Sequence, residues 1–286
     1  MTPTLLVLGH VTLDRVQGQG LGAPERLGGA ASFCARVAAR LGETVGVVTR
    51  APPAWPLLEE LSTEPGVHVH PVAGACVTTF VLRYQDGHRD LLMPVRADPL
   101  LPDDVPSAWR SCPTAFLGPV ADETPRELVG ALEASFVGIG LQGVMRTVGR
   151  GAQVSPRWPA DWLATWPPSI KVASFSEDDH PDAPALAAAL AARGVLAALT
   201  QGRRGATLFL PRAGGVVTTL SVPVLPVPEE DPTGAGDSFA VTLTLGLARG
   251  QTPQQAAGEA ARVAALVVGG PGLGRLPPRD GLRDAK

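Results

Sequence analysis

The chain has 286 residues, 45% of them hydrophobic, and a formal net charge of −3. That length accommodates one large α/β domain with a sizeable core, and the charge excludes the electrostatic footprint of a nucleic-acid or anionic-membrane binder. Its only lysines are Lys171 and Lys286, and neither follows a glycine, which also excludes a phosphate loop of the Gly-Lys-Ser/Thr type.

In chain order, Leu5-Leu6-Val7-Leu8 is a continuous apolar run, as in a strand buried on both faces of a parallel sheet. A helix pattern over 30–41 follows, then a strand at 44–48, a helix at 57–61 and a strand at 67–72. Residues 77–84 and 89–93 predict a β-hairpin turning at Asp86-Gly87, and it stands off the main sheet because no helix follows it closely. Further strands are predicted at 114–117, 136–139, 170–173 and 195–199, with helices at 126–134 and 185–192. Two helices, 235–248 and 253–268, are divided by Arg249-Gly250. Short β-runs alternating with helices predict a doubly wound, mostly parallel sheet flanked by helices. The proline pairs at 52–53, 167–168 and 277–278 read as rigid loops, and no internal repeat is present, so residues 1–286 read as one domain. The opening apolar run is too short for a leader, and the most apolar stretch, 183–199, is broken by Arg193 and Gly194. A soluble, cytoplasmic protein without a membrane span is expected. Cys34, Cys76 and Cys112 are odd in number and widely spaced, so they read as small apolar residues and not as a disulfide or metal framework. His68-x-His70 has no metal-site companions.

The most informative stretch is Asp231-Pro232-Thr233-Gly234-Ala235-Gly236-Asp237-Ser238-Phe239. Its small residues let the backbone curl so that N–H groups converge, and the following helix adds its positive end, an arrangement suited to phosphate. Asp237, in the first helical turn, is placed to accept a proton from an attacking hydroxyl. The plainer alternative is an ordinary helix start with glycine as turn and aspartate as cap. Upstream, Leu27-Gly28-Gly29 leads into an alanine-rich helix ending Arg40-Leu41-Gly42, and Thr200-Gln201-Gly202-Arg203-Arg204-Gly205 follows the strand at 195–199. These three stretches, in this order, resemble the ribokinase-like (PfkB) carbohydrate kinases: the C-terminal signature, the Gly-Gly turn, and the Thr-x-Gly-x-x-Gly nucleotide loop. The resemblance spans nearly the whole chain.

The resemblance implies an ATP-dependent phosphotransferase acting on a hydroxyl of a small sugar, polyol, cyclitol or nucleoside. Asp237 would be the general base, and the N–H groups of Thr233, Gly234, Ala235 and Gly236 the anion hole. Thr200, Gly202 and Gly205 would shape the nucleotide loop. Ser176 and Asp179 match the family's Asn-x-x-Glu, whose acid holds Mg²⁺ through water, with Glu177 as a substitute ligand. Acids at that place also cap a helix with no further role. Gln142 and Arg146 would face the phosphates, and Asp231 with residues 269–274 would hold a monovalent cation such as K⁺. Asp14, whose carboxylate can accept two hydroxyls, would bind the acceptor beside Gly28 and Gly29. A small β-lid from about residues 11–20 and 75–95 would cover it and offer a homodimer surface. Two positions depart from the family. Phe33 stands where an asparagine contacts the sugar, offering an apolar ring to the C–H face of a saturated one. Ala261 stands near the adenine-side asparagine. Phe33 and the Gln142/Arg146 pattern lean toward the family's inositol-type kinases. Two rival readings are a non-catalytic sugar or nucleotide sensor on the same fold, motivated by Phe33 and Ala261, and a dinucleotide-dependent oxidoreductase. The oxidoreductase would use Gly138-Ile139-Gly140-Leu141-Gln142-Gly143, which lacks a clean following helix and a strand-end acid.

Overall fold

The apolar runs become the strands of a nine-stranded sheet in a computed structural model that describes residues 1–16, 25–85, 88–270, 272–273 and 276–278. Seven strands are parallel: β1 (Leu5–Leu8), β4 (Val45–Ala51), β5 (Val67–Ala73), β8 (Thr114–Leu117), β9 (Phe136–Gly140), β12 (Ile170–Ser176) and β13 (Leu196–Thr200). An antiparallel hairpin, β14 (Ala206–Pro211) and β15 (Val217–Val222), extends the edge, giving the order β15-β14-β13-β12-β9-β8-β1-β4-β5.

Helices cover both faces, which is why the strands read as unbroken apolar runs. Leu6 and Leu8 of β1 share a core with Leu117, Ile139, Leu186 and Leu190, the last two from α6 (Ala183–Ala192). Leu5 and Val7 face the opposite core with α1 (Ala30–Arg40), α7 (Ala235–Ala248) and α8 (Pro253–Val268). β1 has β4 on one side and β8 on the other, so the winding reverses there and a crevice opens beyond the carboxyl ends of the strands.

A four-stranded sheet of order β3-β2-β6-β7 stands apart: β2 (Thr12–Val16), β3 (Arg26–Gly28), β6 (Thr79–Gln85) and β7 (His88–Val95). The expected hairpin is β6–β7, and β2 joins β6 in parallel. Strand β3, absent from the sequence expectation, pairs antiparallel with β2. Residues 17–20 of the expected lid, the turn at Asp86-Gly87, and residues 271 and 274 of the 269–274 stretch lie outside the described residues.

One local expectation is corrected, and two hairpins stand where the sequence predicted no element. The helix predicted over 126–134 is only α4 (Arg126–Gly130): the Ala131 and Leu132 N–H groups turn back to Leu128 and Val129, closing it at the glycine. Hairpin β14–β15 escaped notice because its strands are half-exposed and threonine-bearing, without the apolar run that marks a buried strand. The other is a small hairpin, β10 (Arg146–Val148) and β11 (Val154–Pro156), bridged to β7 through Leu92 and Gln153. Among the described residues, no helix is long and apolar enough to cross a membrane.

Candidate active site

The glycine turn ahead of α7 is built by local backbone chemistry and one distant ring. Gly234 is the helix N-cap at φ 78°, a left-handed conformation, and a Cβ there would overlap the Phe33 ring. Phe33 comes from α1 and is 7% exposed, so it supports the turn from beneath. The Thr233 N–H donates to Asp231 Oδ1 (2.9 Å) and the Ala235 N–H to the Pro232 carbonyl (3.2 Å). Two of the four N–H groups expected to form the anion hole are therefore engaged inside the turn. Those of Gly236 and Asp237 lie in the first turn of α7, where the helix supplies no acceptor and its positive end is strongest.

Asp237 is partly open to solvent within the crevice. Burial pushes its carboxyl up to about 7; Arg146 opposes the rise, while Asp179 and Asp14 add to it. Burial also raises Asp179, against the Ser176 N–H (2.7 Å), Arg146 and Gln142. The Arg146 guanidinium is lowered by burial and opposed by Asp179, Asp237, Glu123 and Asp14. Its Nη1 donates to the Val120 carbonyl (3.0 Å), and its Cζ lies 5.3 Å from the Phe80 ring centroid. Asp14, Arg146, Asp179 and Asp237 thus come from four separate segments to within electrostatic reach of one another.

On the side of β2, Thr12 Oγ1 donates to Asp14 Oδ1 (2.7 Å). A Cβ at Gly28 would overlap the Asp14 carboxylate, and one at Gly29 (φ 88°) would lie 2.6 Å from the His10 carbonyl. The Gly-Gly pair is needed first for this close packing.

The Thr200-to-Gly205 loop joins β13 to β14 through a short 3₁₀ turn, Gly202–Arg204. Gly205, at φ 89°, leaves no room for a Cβ against the Val222 carbonyl, and Thr200 Oγ1 donates to the Phe175 carbonyl (3.3 Å). Beyond the loop, a 660 Å³ cavity is lined by residues including Val222, Pro223, Gln254, Gly258, Ala261 and Arg262. Glu177 is drawn toward this loop: Arg204 bonds it and holds its carboxyl below the usual range, with Gln201 at 3.5 Å. Asp179 turns the other way, toward Arg146, while closing a reciprocal cap with Ser176, whose Oγ accepts from the Asp178 N–H (3.2 Å). Capping and site-facing roles coincide in Asp179. Among the described residues, no group of three or more His, Cys, Asp or Glu is arranged to hold a metal ion. One inward carboxylate still fits magnesium, which binds through one or two carboxylates and completes its shell with water and substrate phosphates.

Sequence reasoning missed Phe80, His10 and Glu123. The Glu123 carboxylate is fully buried and accepts the N–H groups of His10 (2.8 Å), Val120 (3.0 Å) and Ala121 (2.7 Å). Nothing local marks it, since the acid simply follows a strand and a Gly-Pro turn. The glycines at 138–143 serve packing: β9 runs into a turn and then β10, with no helix to present its N-terminus to a pyrophosphate. Gly138 makes room for Thr244 of α7, and Gly143 for the Pro119 backbone. The oxidoreductase reading loses its structural basis.

Residues 170–279 match the model of the pfkB family carbohydrate kinases. The chain is 27% identical over 269 residues to an inositol 3-kinase of Oryza sativa subsp. japonica, covering 88% of this chain and 65% of that one. It therefore spans a little under two thirds of the length of that curated relative. A sulfate complex of a pyrophosphate-dependent kinase in the ribokinase family is similar at a TM-score of 0.78 and 18% identity, over 98% of this chain and 99% of that one. A ribokinase of Arabidopsis thaliana complexed with ribose and ATP is similar at 0.73 and 20% identity, over 99% and 98%. The chain has the ribokinase fold, and its segment 170–279, which carries the glycine turn and Asp237, is similar to the pfkB family carbohydrate kinases.

Proposed function

We propose that the protein transfers the terminal phosphoryl group of ATP to a hydroxyl of a small polyol, with cyclitols as the favoured acceptors. The observation that carries this reading is the placement of Asp237, its carboxyl near 7, beside the first-turn N–H groups of α7 and opposite Arg146. A carboxyl poised there can take the acceptor's proton as the new O–P bond forms and the bond to the leaving diphosphate breaks; the proton then returns to solvent from Asp237. Arg146 and the Gly236 and Asp237 N–H groups would offset the charge spread over the transferring group's oxygens. Magnesium, held at Asp179 through water, would neutralise donor phosphate charge. Asp231 is the candidate for a monovalent cation. The loop at Gly202 and Gly205, with the cavity at Ala261, would take the nucleotide.

Acceptor choice follows from Asp14, whose two carboxylate oxygens suit adjacent hydroxyls. The rice relative's activity on inositol supports the cyclitol class. A cytoplasmic setting belongs to the same reading. The test is a screen of pentoses, hexoses, nucleosides and cyclitols for ADP release with ATP, repeated with pyrophosphate as donor because one similar structure is of a pyrophosphate-dependent kinase. Turnover with a cyclitol and ATP is expected. If no compound turns over while ATP still binds, the sensor reading suggested by Phe33 and Ala261 replaces it.

A further inference from the structure

Among the described residues, Glu123 is the only Asp or Glu that is fully buried, so it has no surface with which to touch a substrate. Burying an anion is costly unless hydrogen bonds replace its water. Here the Val120 N–H reaches both oxygens (3.1 and 3.0 Å), while Oε1 also accepts from His10 and Oε2 from Ala121. These partners belong to the loops after β1 and β8, which meet at the winding reversal.

Each partner continues toward the site. Val120 offers its carbonyl to Arg146 Nη1. Val120 and Ala121 pack with Phe80 and Met93, forming the wall on which the guanidinium lies. The His10 Nε2 must donate to the Asp98 carbonyl (3.0 Å), which leaves Nδ1 to accept from Thr78 Oγ1 (2.9 Å), just ahead of β6. The Thr78 oxygen then accepts the Ala97 N–H (3.1 Å), tying the return from β7 to the same point. Within the loop, Asp122 has φ 58° and is pinned by Arg157 Nη2 (2.7 Å), so a strained non-glycine conformation is held in place.

We infer that Glu123 is a positioning residue, whose carboxylate fixes the loop after β8 so that the Val120 carbonyl and the Phe80 wall aim Arg146 at Asp237 and Asp179. The kinetic part of this inference rests on the kinase reading above. Every backbone group bonding Glu123 is a donor, so Glu123→Gln places an amide N–H₂ against an N–H and breaks the brace with almost no change in volume.

The experiment is a double-mutant cycle with Glu123→Gln, Arg146→Met and both together, using the acceptor and donor found in the screen. Glu123→Gln is expected to lower kcat by about 100-fold with little change in acceptor KM, the scale of misplacing a catalytic group by about 1 Å. The double variant should be no slower than Arg146→Met alone, because Glu123 acts through that arginine. Additive losses, or a KM effect without a kcat effect, overturn the inference. A crystal structure of Glu123→Gln decides independently of turnover: a guanidinium displaced from the Val120 carbonyl supports it, and one still in place overturns it. Should no acceptor turn over with the unaltered protein, the kinase reading falls and this structural comparison still tests Glu123. If the glutamine variant does not fold, Glu123→Asp, which keeps the charge but shortens the reach, is read in the same ways.

Discussion

Replacing Asp237 with asparagine should stabilise the fold while abolishing most turnover, and the structure sets both the sign and the scale. Burial raises the carboxyl from an ordinary 3.8 to about 7. At roughly 1.4 kcal/mol per pH unit, keeping it ionised costs the folded protein up to about 4 kcal/mol above pH 7. Because the folded-state pKa lies above the unfolded one, the associated stability is fully present below about pH 4 and is lost as pH rises through about 7. Asparagine keeps the shape and carries no charge, so Asp237→Asn should melt higher at pH 8, by up to about 8 °C at roughly 2 °C per kcal/mol. The advantage should vanish near pH 4. Turnover should fall by about 10²–10⁴-fold, the usual contribution of a positioned base. Calorimetry at the two pH values and a coupled ADP assay read both arms. Equal melting temperatures at pH 8 would refute the claim that the site destabilises this carboxylate, and unaltered turnover would remove Asp237 from the chemistry.

The same carboxyl should appear in kinetics as an acidic limb of kcat/KM with a midpoint near 7, and Arg146→Met should move that limb to higher pH by removing the positive charge that opposes its rise; a limb that stays put would place Arg146 too far away. Phe33→Asn should lose about 3 kcal/mol of stability in thermal unfolding, since a buried ring is exchanged for an amide, and should slow every acceptor in parallel because the ring supports Gly234. A reordered acceptor preference would instead put Phe33 against the substrate. Asp179→Ala should raise the magnesium requirement in an activity titration, whereas Glu177→Ala, which removes a partner of Arg204, should leave it unchanged; the reverse result would exchange the two roles.

Much of the architecture was legible because its causes are local. Continuous apolar runs marked the parallel strands, and the bounds of α7 and α8 follow from Gly234, Gly250 and Pro253, which act on their own backbone. The glycine turn and Asp237 were readable for the same reason: turn, helix start and acid lie within a few residues. Strand β3 and hairpin β14–β15 left no such mark, because half-exposed strands gain their stability from a partner across the sheet. The rest of the site depends on strand order. Asp14, Arg146 and Asp179 face Asp237 only because β1 lies between β4 and β8, bringing loop ends from distant parts of the chain to one crevice. Glu123 and His10, 113 residues apart, show the limit most clearly. A buried carboxylate acquires a role only when backbone N–H groups from other segments replace its water, and that exchange happens in the packed molecule, out of reach of any sequence neighbour.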